Sequence, residues 1–150
     1  MDRTQPVTLT NMCMIYKDGQ VLVQNNVSSD YNSIAFPGGH VENNESFADS
    51  VIREVYEEAG LAIQSPQLSG IKDWIEADGS RYMVLLYKTD KFQGQLKSSH
   101  EGEVFWVMSD KLSQMKLSFG TEDMLKVFLD DNLSEFYYYL KNDKWVYDLK

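Results

Sequence analysis

From Val7 to Tyr16 polar and apolar positions alternate, with Leu9, Met12, Met14 and Ile15 as core candidates, which is the pattern of a strand. Lys17-Asp18-Gly19 is hairpin chemistry, and Val21-Leu22-Val23-Gln24 reads as the antiparallel return. The polar run 25–33 predicts a loop, with Asn25, Asn26 and Asn32 as turn formers. Ile34-Ala35-Phe36 is a short strand that delivers the chain into Pro37-Gly38-Gly39. Such a turn suits a backbone that bends sharply and approaches a ligand closely.

The period then lengthens. A helix is predicted through Ser46, Asp49 and Ser50 to a stop at Gly60. Ala48, Val51, Ile52, Val55 and Ala59 fall on one side of it, and Glu54, Glu57 and Glu58 on the other. After a connection over 61–67 come a strand at 68–75, an Asp78-Gly79 hairpin and the hydrophobic strand RYMVLLYKT at 81–89. Trp74 and Tyr82, near the ends of these strands, read as packing aromatics. A polar stretch at 97–103 leads into a strand at 104–108, then a short turn or one-turn helix at 110–114. Residues 121–130 form an amphipathic pattern with Thr121 as N-cap and Met124, Leu125, Val127 and Phe128 apolar. The chain closes on an aromatic hairpin at about 135–148, which reads as edge packing or a homodimer contact.

Composition narrows the function. The 150 residues suit one domain over 1–150, and 43% hydrophobic with 25% charged is ordinary for a globular protein. A net charge of −9 argues against a nucleic-acid polymer as partner but not against a small phosphorylated substrate bridged by a cation. The lone Cys13 permits no disulfide within the chain, and no signal-peptide or membrane-spanning run is visible. A cytoplasmic protein with no membrane association is expected. His40 and His100 have no nucleophile or metal-ligand partner at a telling spacing.

A glutamate-rich helix face is ordinarily just solvated. Here three like charges at i, i+3 and i+4 repel by a few tenths of a kcal/mol per pair, roughly, and a hard divalent cation would relieve them. The context is specific: Gly39, Glu45, Arg53, Glu54, Val55, Glu57, Glu58, Gly60 and Leu61 stand at the spacing GX5EX7REUXEEXGU, with U aliphatic, over a box at 39–61. In this the chain resembles the Nudix hydrolases.

The resemblance implies an α/β fold, an α/β/α sandwich with a mixed central sheet. It also implies Mg²⁺-dependent, or Mn²⁺-dependent, hydrolysis of a nucleoside diphosphate linkage. The metal ligands so implied are the Gly38 carbonyl, Glu54, Glu57, Glu58 and Glu101. The catalytic set is Glu54, Glu57, Arg53 and a loop base, with Arg53 orienting the box through Glu45. Glu101 matches the base by spacing better than Glu103, which alternates onto the same side of an extended chain. AFPGGHVE and EGEVFWV look like the MutT-type branch, which implies 8-oxo-dGTP, or another nucleoside triphosphate, cleaved to the monophosphate and pyrophosphate. Gly39 and Asp123 are the substrate-binding candidates, although capping a helix is the competing duty of Asp123. No asparagine lies between Trp106 and Asp130, where that branch carries one. Hydrolysis of a nucleotide-sugar or dinucleoside polyphosphate, an inactive nucleotide-binding Nudix module and an acidic interaction protein stay open.

Overall fold

The computed structural model describes residues 1–28, 31–118 and 120–150, with backbone only at 27, 28, 31 and 32. Among the described residues ten strands and two α-helices follow in order: β1 Val7–Lys17, β2 Gln20–Ser28, β3 Tyr31–Ala35, α1 Phe47–Ala59, β4 Leu61–Ile63 and β5 Gln67–Ile75. Then come β6 Arg81–Thr89, β7 Phe92–Gly94, β8 Gly102–Met108, a 3₁₀ turn Ser109–Gln114, α2 Thr121–Leu129, β9 Glu135–Lys141 and β10 Lys144–Leu149.

The main sheet is mixed and runs β10-β9-β5-β6-β1-β2-β3, with β8 also on β2. At its centre β1 lies parallel to β6, from Val7 opposite Arg81 to Ile15 opposite Thr89. Two faces make two cores. Met14, Val23, Leu86 and Phe36 pack against Met124, Val127 and Phe128 of α2. Cys13, Ile15, Leu22 and Leu85 pack against Val51, Val55 and Ala59 of α1. A mixed sheet between α1 and α2 is the sandwich that the resemblance implies.

Strands β1 and β2 pair only at their hairpin end, Tyr16 with Val21 and Lys17 with Gln20. Beyond that they part. β2 takes β8 and β3 as neighbours, and the free side of β1 is filled by the turn: Cys13 N donates to Pro37 O at 2.8 Å and Asn11 N to Gly39 O at 2.8 Å. This parting opens the cleft described below.

Several expectations change. The loop expected over 25–33 is largely strand, since Asn25 and Asn26 pair with Glu103 and Gly102 of β8 and with Ile34 and Ser33 of β3. Polar side chains sit there because part of β2 lines a cleft; Ser29 and Asp30 lie outside the described residues. The connection 61–67 contains β4, paired with β7. The N-cap of α2 is Gly120, and Thr121 is buried within the first turn. Leu9, Ala48 and Ile52 are only partly buried, while Ser50 and Glu58 take inward positions on α1. The aromatic hairpin is more than edge packing: β9 joins β5 in parallel and Phe136 is fully buried. Its turn, Asn142 at φ 52° and Asp143 at φ 62°, has the left-handed pair that a two-residue hairpin loop requires.

Candidate active site

The site begins with the turn before α1. Gly39 N donates to Asn11 Oδ1 at 3.2 Å and Gly38 N to Glu58 Oε2 at 3.0 Å, so the turn is held from both the sheet and the helix. Neither glycine can be replaced without a shift. A Cβ on Gly38 would stand 2.1 Å from Asn11 O, and one on Gly39 2.3 Å from the Glu54 carboxyl carbon. Asn11 reaches on to α1, its Nδ2 donating to Ser50 Oγ at 2.8 Å. The helix opens on Ser46, whose side chain accepts from Asp49 N, and closes on Gly60 at φ 75°.

Arg53 gathers the acidic groups of the box. Its Nε and Nη2 grip Glu45 at 3.0 and 2.7 Å, Nη1 reaches Glu54 at 3.0 Å and Glu57 at 3.2 Å, and Nη2 also donates to His40 O at 3.0 Å. This planar fork closes the loop 40–45 over the helix, which a point-charge ammonium could not do. Hydrogen bonding from Arg53, then from the Glu42 amide, pulls Glu45 down to about 2, and the guanidinium itself is raised by Glu45.

A cleft of about 480 Å³ is lined in part by Gly38, Gly39, Glu54, Glu58 and Glu101. Glu58 is 4% exposed. Burial first, and the facing Glu101 carboxyl second, push its pKa well above the carboxylate range. Burial also raises Glu54. Among the described residues no three His, Cys, Asp or Glu side chains close into an ion-sized cluster. Glu58 meets Glu101 as a pair, while Glu54 and Glu57 are drawn onto Arg53. The donor set is nevertheless all oxygen, and two carboxyls forced together are what a hard divalent cation would relieve, so such an ion fits.

Aromatic rings line the same cleft. Trp74 and Tyr82, which pack on the α2 side of the sheet, are stacked with centroids 4.5 Å apart and rings 10° from parallel. Tyr138 of β9 stacks behind Trp74 at 5.3 Å. Asn11, Gln24 and Asn26 complete a polar wall.

Sequence reasoning thus brings Gly38, Gly39, Glu54, Glu58 and Glu101 to one place. Three candidates stand elsewhere. Glu57 is exposed on Arg53 and does not line the cleft. Glu103 is exposed and absent from the lining: within β8 it points away from the side of Val104, whereas Glu101 stands in the turn before the strand, outside that alternation. Asp123 is outside the cleft on α2, paired with Lys126 at 3.2 Å and bonded to Tyr147. Missed were Asn11, Gln24, Asn26, Trp74 and Tyr82; the alternation of polar side chains in 24–26 was the one available signal.

The family model for the NUDIX domain matches residues 8–128. The chain belongs to the Nudix family. "Uncharacterized Nudix hydrolase YvcI" of Bacillus subtilis is 36% identical over 94 residues, 59% of this chain and 60% of that protein's length. Phosphatase NudJ of Escherichia coli is 25% identical over 112 residues, 71% of each. The MutT protein of Bacillus halodurans superposes with a TM-score of 0.78 at 26% identity, covering 95% of this chain and 97% of that one. The NUDIX domain of Shewanella oneidensis NrtR, solved with ADP ribose, shares the fold with a TM-score of 0.67 at 17% identity over 86% of this chain and 89% of that one. This Nudix chain is therefore a pyrophosphohydrolase, of a family that generally uses divalent metal ions. Among the described residues no helix is long and apolar enough to cross a membrane.

Proposed function

We propose that this Nudix enzyme hydrolyses nucleoside triphosphates to the monophosphate and pyrophosphate. One observation carries the reading: a single cleft is lined both by acidic oxygens and by a stacked indole–phenol pair. A base stacks on aromatic faces, and its phosphate chain would then run toward Glu54, Glu58 and Glu101. These carboxylates with the Gly38 carbonyl would hold Mg²⁺ or Mn²⁺, which supplies positive charge on the phosphates and eases deprotonation of water. The chain itself does the rest. Arg53 fixes Glu54 and the loop over the helix, and Glu101 takes a proton from the attacking water. That water's oxygen bonds to phosphorus as the bridging P–O bond breaks, and pyrophosphate departs.

Support for the triphosphate class does not extend to 8-oxo-dGTP, since Asp123, the acid assigned to its base, stands outside the cleft. The test is incubation with Mg²⁺ and a panel of 8-oxo-dGTP, the ordinary nucleoside triphosphates, ADP-ribose and diadenosine polyphosphates, with products identified by mass spectrometry. Release of monophosphate and pyrophosphate from a triphosphate, lost in Glu58→Gln, is expected. Exclusive turnover of ADP-ribose or a dinucleoside polyphosphate would replace the substrate class. Binding without turnover of any member would make this a binding module.

A further inference from the structure

Gln24 is 3% exposed, lines the cleft, and among the described residues its side-chain Nε2 has no hydrogen-bond partner. A buried amide left unpaired is costly, and an alternating strand offered many apolar solutions at this position. Its place in the fold says which side of the sheet it serves. Leu22, two residues back on β2, packs with Val51 and Val55 of α1, so Gln24 shares the α1 side. Its partner across β8 is Val104, of the same cluster. A Cβ on Gly102, next to Glu101, would stand 3.3 Å from Gln24 Cγ. The aromatic pair belongs to the other face, packed against the cluster of Val84 and Leu86.

Resting on the triphosphate reading, we infer that Gln24 is a substrate-positioning residue whose Nε2 donates to an oxygen of the bound phosphate chain. A carboxamide suits this place because it adds a donor to a wall of carboxylates without adding charge that would compete for their cation. The arrangement is a site prepared for an acceptor that arrives with the substrate.

The variant Gln24→Met keeps length and removes the donor. Three measurements are made on it and on the wild type: steady-state kinetics on several triphosphates, calorimetric binding of inorganic tripolyphosphate with Mg²⁺, and thermal unfolding. The expected result is a fall of about tenfold in kcat/KM, alike for every base and mainly through KM, with a matching loss of tripolyphosphate affinity and no fall in melting temperature. Loss confined to particular bases would overturn the assignment by moving the donor to the base. Unchanged kinetics and unchanged tripolyphosphate binding would overturn it outright, as would a wild type that binds no tripolyphosphate. If the wild type cleaves no triphosphate yet binds tripolyphosphate through Gln24, the functional reading fails and the phosphate contact stands.

Discussion

Replacing Lys72 with methionine is expected to stabilise the protein at neutral pH. Lys72 is 8% exposed on β5, with its ammonium 5.1 Å from the Tyr138 ring centroid and 5.9 Å from that of Trp74. Burial lowers its pKa from 10.5 to about 8. At about 1.4 kcal/mol per pH unit, that fall corresponds to a penalty on the order of 3 kcal/mol for folding with the charge in place. The two ring faces return about 1–2 kcal/mol. The net gain expected for Lys72→Met at pH 6 is therefore about 1–2 kcal/mol, because the thioether keeps the stem and its contact with the rings. The sign follows from proton binding. With the folded pKa depressed, the unfolded chain holds more protons between about 8 and 10.5, so the penalty is full below pH 8 and is relieved as pH rises through that window. Urea unfolding of both proteins from pH 6 to 10 reads it, as a midpoint gap of roughly 0.5–1 M at pH 6 that narrows by pH 10. A methionine variant less stable than wild type at pH 6, or a gap that ignores pH, would refute the reasoning.

Three further outcomes are expected. Glu101→Gln should lower kcat at fixed Mg²⁺ by about 100-fold or more, and Glu103→Gln only marginally; equal losses would remove the base assignment. Arg53→Lys keeps the charge but cannot hold Glu45, Glu54 and the His40 carbonyl together. Activity should drop about 10- to 100-fold, with a melting temperature that shows the fold intact. Phe128→Ala, which empties a site 1% exposed where the ring meets Phe36 edge-on at 5.6 Å, should cost about 3–5 kcal/mol in denaturant unfolding.

The box was readable because its constraints are local. A glycine that must admit Glu54, an arginine that must reach Glu45 and a glycine that must end the helix all act within 23 residues, 39–61. Glu101 was reachable through a spacing that the resemblance implied. The aromatic wall of the cleft was not. Trp74 and Tyr82 become a wall only because β5 and β6 pair, Trp74 directly opposite Tyr82, and the sequence shows two aromatics that could equally be core. Gln24 and Asn26 were read as the end of a strand and the start of a loop, because period-two patterning marks what faces a core and is silent about what faces a cleft. That Asp123 lies outside the cleft was not legible for a related reason: helix periodicity located its face without saying what that face meets.

The parallel pairing of β1 with β6 has a consequence for when activity arises. Thr10 and Met83 are 73 positions apart, and closing a loop of that length precedes any reward from the pairing. The Pro37-Gly38-Gly39 turn leans on β1, whose other side is bare until β6 arrives. A chain still being synthesised can carry its whole acidic helix and have no firm turn to set against it. Hydrolytic competence is therefore expected as one of the last events of maturation, so that incomplete or partly unfolded copies leave the nucleotide pool untouched.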